Sequence, residues 1–282
     1  MDKLIDMHIH TCFSDGDKTP QEIAKMAKEN NLKAFAITDH DTVLGCRELI
    51  GYNDREVQYI PGIELSAFVP KGRMHILGYN IDIYNPELQK VIDNKKRNSF
   101  NSLLIMYNYL KDKYSISIPD FEFDELHKKF GDVGRPDLAK LLVRYGYSGN
   151  VEEAFNRYLI EAFDKTRELR KTTTKEECFS AIKSAGGYIS LAHPITLKLE
   201  YEELKRELLY LKTLGLDAIE ISHSNQNEEY RKMLLTLRDE LKLLESGGSD
   251  YHGITVKPDI ILGQGRNNIK IKELSLLNKI NS

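Results

Sequence analysis

Cysteine is scarce in this chain. Cys12, Cys46 and Cys178 stand far apart, three in all, and form no Cys-x-x-Cys pair. That excludes a disulfide framework and points to a reducing, cytoplasmic setting. No run approaches the ~18 apolar residues of a membrane span, so no membrane partner is expected. The first residues lack a basic segment followed by an apolar stretch, and no signal peptide is read there. Excess positive charge is missing too: 40 Lys and Arg face 43 Asp and Glu, for a net charge of −3. A surface for duplex nucleic acid is usually strongly basic, so none is expected. A nucleotide or short oligonucleotide stays open as a substrate, because a metal cluster can supply positive charge locally. There is no internal repeat and no low-complexity tract.

What is present suits one large domain, or a barrel with an insert: 282 residues, 41% hydrophobic and 29% charged. The first third alternates strand and helix signals. Residues 3–8 and 33–38 are apolar strands, the latter suited to a sheet covered on both faces. Between them, 17–31 reads as a helix with Thr19 as N-cap, Pro20 at the first position and Glu22 completing a capping box. Residues 42–53 read as a second helix, and 58–69 with 75–83 as strands pairing in a hairpin. From 86 to 172 the alternation stops and helical, charge-rich segments follow: 86–114, 124–129, 136–145 and 151–159. Alternation resumes with a helix over 174–185, stopped by Gly186-Gly187, and strands at 188–192, 218–222 and 243–245. Repeated units of this kind predict a β/α barrel of seven or eight strands. The expected divisions are a first barrel part at 1–85, a helical insertion at 86–172 and a second barrel part at 173–282.

The chain has eight histidines, and six of them, His8, His10, His40, His193, His223 and His252, fall at or just past the C-terminal end of an expected strand. In a β/α barrel those ends form one mouth, where active sites are built. Residues distant in sequence therefore converge. His8 and His10 lie two apart on a strand and face the same side. Asp15 follows in a Ser-Asp-Gly turn. Asp39-His40-Asp41 abruptly ends an apolar strand; His40 is a candidate ligand and Asp39 a group that would orient a ligand or water. Glu64 stands in an apolar strand, where a lone carboxylate is costly unless a cation neutralises it. His75 also interrupts an apolar strand. Pro194 is expected to hold His193 extended at the mouth. Asp250 and His252 repeat the two-apart spacing after Gly247-Gly248. Imidazoles and carboxylates without thiolates suit Zn, Mn or Fe.

These blocks resemble the polymerase and histidinol phosphatase (PHP) family: Asp6-Met7-His8-Ile9-His10-Thr11 with Asp15, Ile37-Thr38-Asp39-His40-Asp41-Thr42, Gly62-Ile63-Glu64-Leu65-Ser66, His75-Ile76-Leu77-Gly78-Tyr79, Ala192-His193-Pro194 and Gly248-Ser249-Asp250-Tyr251-His252-Gly253. They cover roughly residues 1–80 and 185–255. The helical insert, with Gly134-Arg135-Pro136 and Phe155-Asn156-Arg157-Tyr158-Leu159, is similar to a subgroup of nucleoside 3′,5′-bisphosphate phosphatases and 5′-3′ exoribonucleases. The resemblance implies a distorted (β/α)7 TIM-like barrel with a trinuclear site of two or three divalent ions. His8, His10, Glu64 and Asp250 would hold one ion; Glu64, His75 and His193 a second; Asp15, His40 and His252 a third. The implied reaction is hydrolysis of a nucleotide phosphomonoester by a metal-activated hydroxide, with Asp39 and His223 as candidate catalytic groups and Arg135 as the clamp on a second phosphate. Two departures lie in the insert, which the resemblance makes a substrate-facing wall: Asp137 where relatives usually carry His, and the divergent segment 160–172. Histidinol phosphate hydrolysis, a non-catalytic metal-binding module and C–N hydrolysis are the competing readings.

Overall fold

Strand β1 (Leu4–Ile9) is buried along its whole length. The computed structural model describes residues 3–128, 133–266 and 269–282. Beyond β1, Thr19 caps α1 (Pro20–Glu29): its hydroxyl accepts the Glu22 N–H while the Glu22 carboxylate accepts the Thr19 N–H at 2.8 Å. Strand β2 (Leu32–Ile37) follows. The second helix is far shorter than expected, since α2 covers only Leu44–Arg47. Gly51 then takes φ +78°, outside the helical region, and turns the chain away.

Strands β3 (Gln58–Ala67) and β4 (Met74–Tyr79) form the expected hairpin, with Ser66 opposite His75. After the insert come α8 (Lys175–Ser184), β5 (Tyr188–Leu191), α9 (Tyr201–Leu214), β6 (Ala218–His223), α10 (Glu228–Leu241), β7 (Leu244–Gly248) and α11 (Ser275–Ile280). The seven strands are ordered β1-β2-β3-β4-β5-β6-β7. All neighbours pair parallel except β4, which runs antiparallel to both β3 and β5. The sheet nearly closes on itself. The His10 N–H donates to Tyr251 O at 2.9 Å, and the Asp250 N–H to His8 O at 2.9 Å, so β1 meets the segment following β7.

The reversal of β4 places the site. Six strands bring their C-terminal ends to one mouth, and β4 brings its N-terminal end there. His75, the second residue of β4, reaches the mouth for that reason.

Two compact units result, one comprising Met1–Val91 with Thr173–Ser282 and the other Ile92–Thr172. The second unit takes up most of α3 (Pro86–Tyr114), then α4 (Asp120–Lys128), α5 (Arg135–Arg144), α6 (Val151–Ala154), a π-helical turn (Phe155–Leu159) and α7 (Ile160–Lys165). Residue 129 of the helix expected over 124–129 lies outside the described residues. The insert has its own core, in which Leu103, Leu110, Leu138, Leu142 and Leu159 are fully buried. Among the described residues, no helix is long and apolar enough to cross a membrane.

Candidate metal centre

Glu64 is the hub. Its side chain, on β3, is fully buried, and both oxygens meet imidazole nitrogens. Oε1 lies 2.9 Å from His75 Nδ1 and 2.9 Å from His193 Nε2. Oε2 lies 3.1 Å from His8 Nε2, 3.1 Å from His10 Nε2 and 3.2 Å from His40 Nδ1. Asp250 Oδ1 adds a second carboxylate, 3.3 Å from His10 Nε2 and 3.7 Å from His8 Nε2. Asp15 Oδ1 lies 3.3 Å from His252 Nε2, and Asp15 Oδ2 lies 4.0 Å from His40 Nε2. Every candidate ligand read from the sequence is therefore drawn into one cluster: His8, His10, Asp15, His40, Glu64, His75, His193, Asp250 and His252.

Hydrogen bonds fix which ring nitrogen faces inward. His8 Nδ1 is 2.8 Å from Glu220 Oε1, His193 Nδ1 is 3.1 Å from the Thr196 hydroxyl, and His252 Nδ1 is 2.8 Å from the Asp250 carbonyl. Each partner accepts an N–H, so in all three rings the bare Nε2 points at carboxylate oxygen. His10 Nε2 and His40 Nδ1 are buried without a hydrogen-bond partner. Buried lone pairs aimed at carboxylates are costly unless a cation stands between them. The donors fit a divalent ion, and His10, Asp15, His40 and His252, or His8, His10 and Glu64, or His40, Glu64 and His75, each gather within 4.8 Å.

One further grouping with similar spacing, His8, Glu220 and His223, is filled by protons instead. His8 Nδ1–H already serves Glu220. The Asn225 N–H donates to His223 Nδ1 at 3.0 Å, so the His223 proton sits on Nε2. That nitrogen faces Asp250 Oδ2 at 3.4 Å and, like His10 Nε2, is buried without a hydrogen-bond partner. His223 is thus set as a donor, opposite in tautomer to His8, His193 and His252.

Carboxylates and imidazoles here shift one another strongly. Burial alone would raise the Glu64 and Asp250 pKa values; the surrounding histidines outweigh it and hold both well below the carboxylate range. Burial, with like-charged His10 and His75 nearby, pushes His40 down to about 3. Burial also disfavours a proton on His10, but Asp250 and Glu64 outweigh it and lift that group to about 9.

The supporting residues are equally definite. Asp39, 1% exposed, takes the Thr11 N–H at 2.7 Å, the Thr11 hydroxyl at 2.7 Å and the Ser14 hydroxyl at 2.6 Å. It pins the turn between His10 and Asp15. Asp6 and Glu220 were not among the sequence candidates. Asp6 accepts from Ser249 N at 2.8 Å, the Ser249 hydroxyl at 2.6 Å and Gly263 N at 2.7 Å, locking the segment that carries Asp250. Glu220 holds His8 and also takes the His193 N–H at 2.7 Å. Both were legible: Asp6 shares the two-apart spacing of His8 and His10, and Glu220 is a lone carboxylate in an apolar strand, like Glu64.

His193 departs from expectation. It is not extended before Pro194 but has φ +23° and ψ +68°. The bond to Glu220 and the 3₁₀ turn Pro194–Leu197 hold it there. Asp250 (φ +58°) also lies in the left-handed region. Strain at two ligand positions is tolerated where the surroundings over-determine the backbone.

Arg135 is in the second unit, at the start of α5, its guanidinium 4.2 Å from the centroid of the Phe163 ring. Asp137 is a cap: its carboxylate accepts the Gly134 N–H at 2.9 Å.

A barrel with this rim is a metal-dependent hydrolase of phosphoric esters. The chain belongs to the PHP domain family, whose sequence profile matches residues 6–194. It is 31% identical over 255 residues to the 5′-3′ exoribonuclease Rnm of Escherichia coli (strain K12), covering 88% of this chain and 85% of that one. It is 25% identical over 252 residues to the 3′,5′-nucleoside bisphosphate phosphatase of Chromobacterium violaceum, covering 88% and 87%. A solved structure from Bifidobacterium adolescentis, provisionally assigned as a metal-dependent phosphoesterase, superposes with a TM-score of 0.72 at 27% identity over 99% of this chain and 95% of that one.

Proposed function

We propose that the protein removes phosphate from nucleotides, either nucleoside 3′,5′-bisphosphates or short 5′-phosphorylated oligonucleotides. The observation that carries the chemistry is Glu64, whose two oxygens meet five imidazoles. The names of the Escherichia coli and Chromobacterium violaceum relatives support the nucleotide class.

In this reading the rim would take three ions. His8, His10, Glu64 and Asp250 would hold the first, Glu64, His75 and His193 the second, and Asp15, His40 and His252 the third; zinc, manganese and iron all suit the donors. Such ions supply Lewis acidity, which acidifies water and neutralises phosphate oxygens. The chain's own residues do the rest. Glu220 and Thr196 orient His8 and His193. Asp39 is a positioning residue that acts through the turn it pins. His223 presents Nε2–H as the proton donor to the leaving alcohol. Cys12, Cys46 and Cys178 form no disulfide, which suits a cytoplasmic enzyme.

The test is phosphate release by protein purified without chelator, with Mn²⁺ or Zn²⁺ added and bound metal quantified. The substrates are adenosine 3′,5′-bisphosphate, AMP, histidinol phosphate and a 5′-phosphorylated oligonucleotide. Metal-dependent release from the bisphosphate or the oligonucleotide, lost in His193→Ala, is the expected result. Turnover of histidinol phosphate alone would overturn the nucleotide assignment.

A further inference from the structure

The turn that follows His252 is built around a single cation. Gly253 has φ +93°, and a Cβ there would stand 1.7 Å from Asp17 Oδ1, so no other residue passes. Asp17 then clamps the turn. Its Oδ2 accepts the Thr255 N–H at 2.8 Å and the Thr255 hydroxyl at 2.5 Å, while the Asp17 N–H donates to His252 O at 2.8 Å. The Lys257 N–H closes back on Gly253 O at 2.9 Å. The result is a fixed side chain: Lys257 Nζ lies 2.7 Å from Asp250 Oδ2.

Asp250 thereby has two distinct sides. Oδ1 faces His8 Nε2 and His10 Nε2, two of the metal-facing nitrogens. Oδ2 faces Lys257 and the donor His223. Among the described residues, Lys257 is the one lysine or arginine ion-paired to a cluster carboxylate. Its side chain is 32% exposed against 9% for Asp250, so the ammonium stands where the buried cluster opens to solvent.

Charge decides what this ammonium is for. Six carboxylates, Asp6, Asp15, Asp39, Glu64, Glu220 and Asp250, stand among or directly behind the histidines. Three divalent ions already cancel them. A lysine is therefore not required to neutralise the loaded cluster. An ammonium at that edge, beyond what the loaded cluster needs, suits an incoming anion as well as Asp250. The ammonium has three N–H donors; one serves Asp250 and the others can reach a ligand.

We infer that Lys257 is a substrate-binding residue, receiving the phosphate group that the cluster hydrolyses at the edge formed by Asp250 and His223. The inference rests on the phosphoester chemistry proposed above and not on the nucleotide assignment.

Calorimetric titration of the manganese-loaded full-length protein with inorganic phosphate tests it, with metal content measured in the same samples. Lys257→Met should keep its metal and bind phosphate about ten- to a hundredfold more weakly, the range for one lost charge-assisted hydrogen bond. Lys257→Arg should fold alike and recover most of the affinity. Steady-state kinetics on a simple phosphomonoester should show the loss mainly in KM. Phosphate affinity within twofold of wild type in a fully metallated Lys257→Met would overturn the inference. So would metal loss that accounts for the weakened binding, because Lys257 would then only hold Asp250. Phosphate that fails to bind metal-loaded wild type would overturn it as well. Absence of nucleotide turnover, with phosphate binding intact, would strike the substrate assignment and leave Lys257 standing.

Discussion

The barrel rim and the helical insert treat buried carboxylates in opposite ways. In the insert, Glu122 and Asp137 are buried, and each meets ordinary donors: Glu122 takes Arg144 Nη1 at 2.7 Å and the Tyr145 hydroxyl at 2.8 Å, and Asp137 takes a backbone N–H. At the rim, both Glu64 oxygens and Asp250 Oδ1 face imidazole nitrogens, and only Asp250 Oδ2 turns to donors, Lys257 and His223. The first pattern is complete without a ligand. The second is stable only with cations between the groups. Buried charge alone therefore does not mark a site; buried charge aimed at lone pairs does.

Substitutions that touch one region and spare the other sharpen this contrast. The largest effect is expected from Glu64→Gln, which removes the hub's charge. Metal content and phosphatase rate should fall by more than the roughly 10–100-fold that outer partners of metal ligands command. Helical circular dichroism should stay near wild type; a collapse of the whole spectrum would make Glu64 a folding residue first. Leu138→Ala hollows the insert's core and should cost about 2–5 kcal/mol in denaturant unfolding. Metal content should not change, and a metal-depleted Leu138→Ala protein would break the division between the regions. Glu220→Gln keeps the shape that orients His8 and His193 but weakens the acceptor. Metal affinity should drop roughly 10–100-fold in competition with a chelator, with no change in the insert.

The smallest effect concerns surface charge. In the insert, Glu161 is held down to about 2 by Lys113, Tyr114 and Tyr109. Its unfolded value is about 4.3. A lowered folded-state pKa stabilises above the unfolded value, and that contribution fades as pH falls towards the folded one. Thermal melts of Glu161→Gln should lie slightly below wild type at neutral pH, and the gap should close between about pH 4 and pH 2. A gap constant across that range would rule out the ion pair as its source.

Much of the rim was readable from sequence because strand geometry is simple. Two-apart spacing puts His8 with His10, and a polar residue in an apolar strand singles out Glu64 and His75. The Thr19 capping box was equally local. Three things were not readable. The left-handed backbone of His193 depends on Glu220, 27 residues later. The truncation of α2 depends on the chain turning at Gly51, with φ +78°. Lys257 has no periodic signal, because a non-local clamp from Asp17 sets its position.

The ring of ligands has one more consequence. Six of the seven strands, or the turn just after them, send a candidate ligand to the rim: His8 from β1, His40 after β2, Glu64 from β3, His75 from β4, His193 after β5 and Asp250 after β7. Bound ions would lace the barrel shut like a drawstring, tying the first strand to the last. None of those six strands could then peel away before its ligand let go. The loaded barrel should owe its persistence to slow ion release, so that its half-life in chelator, more than its melting temperature, measures how firmly it is closed.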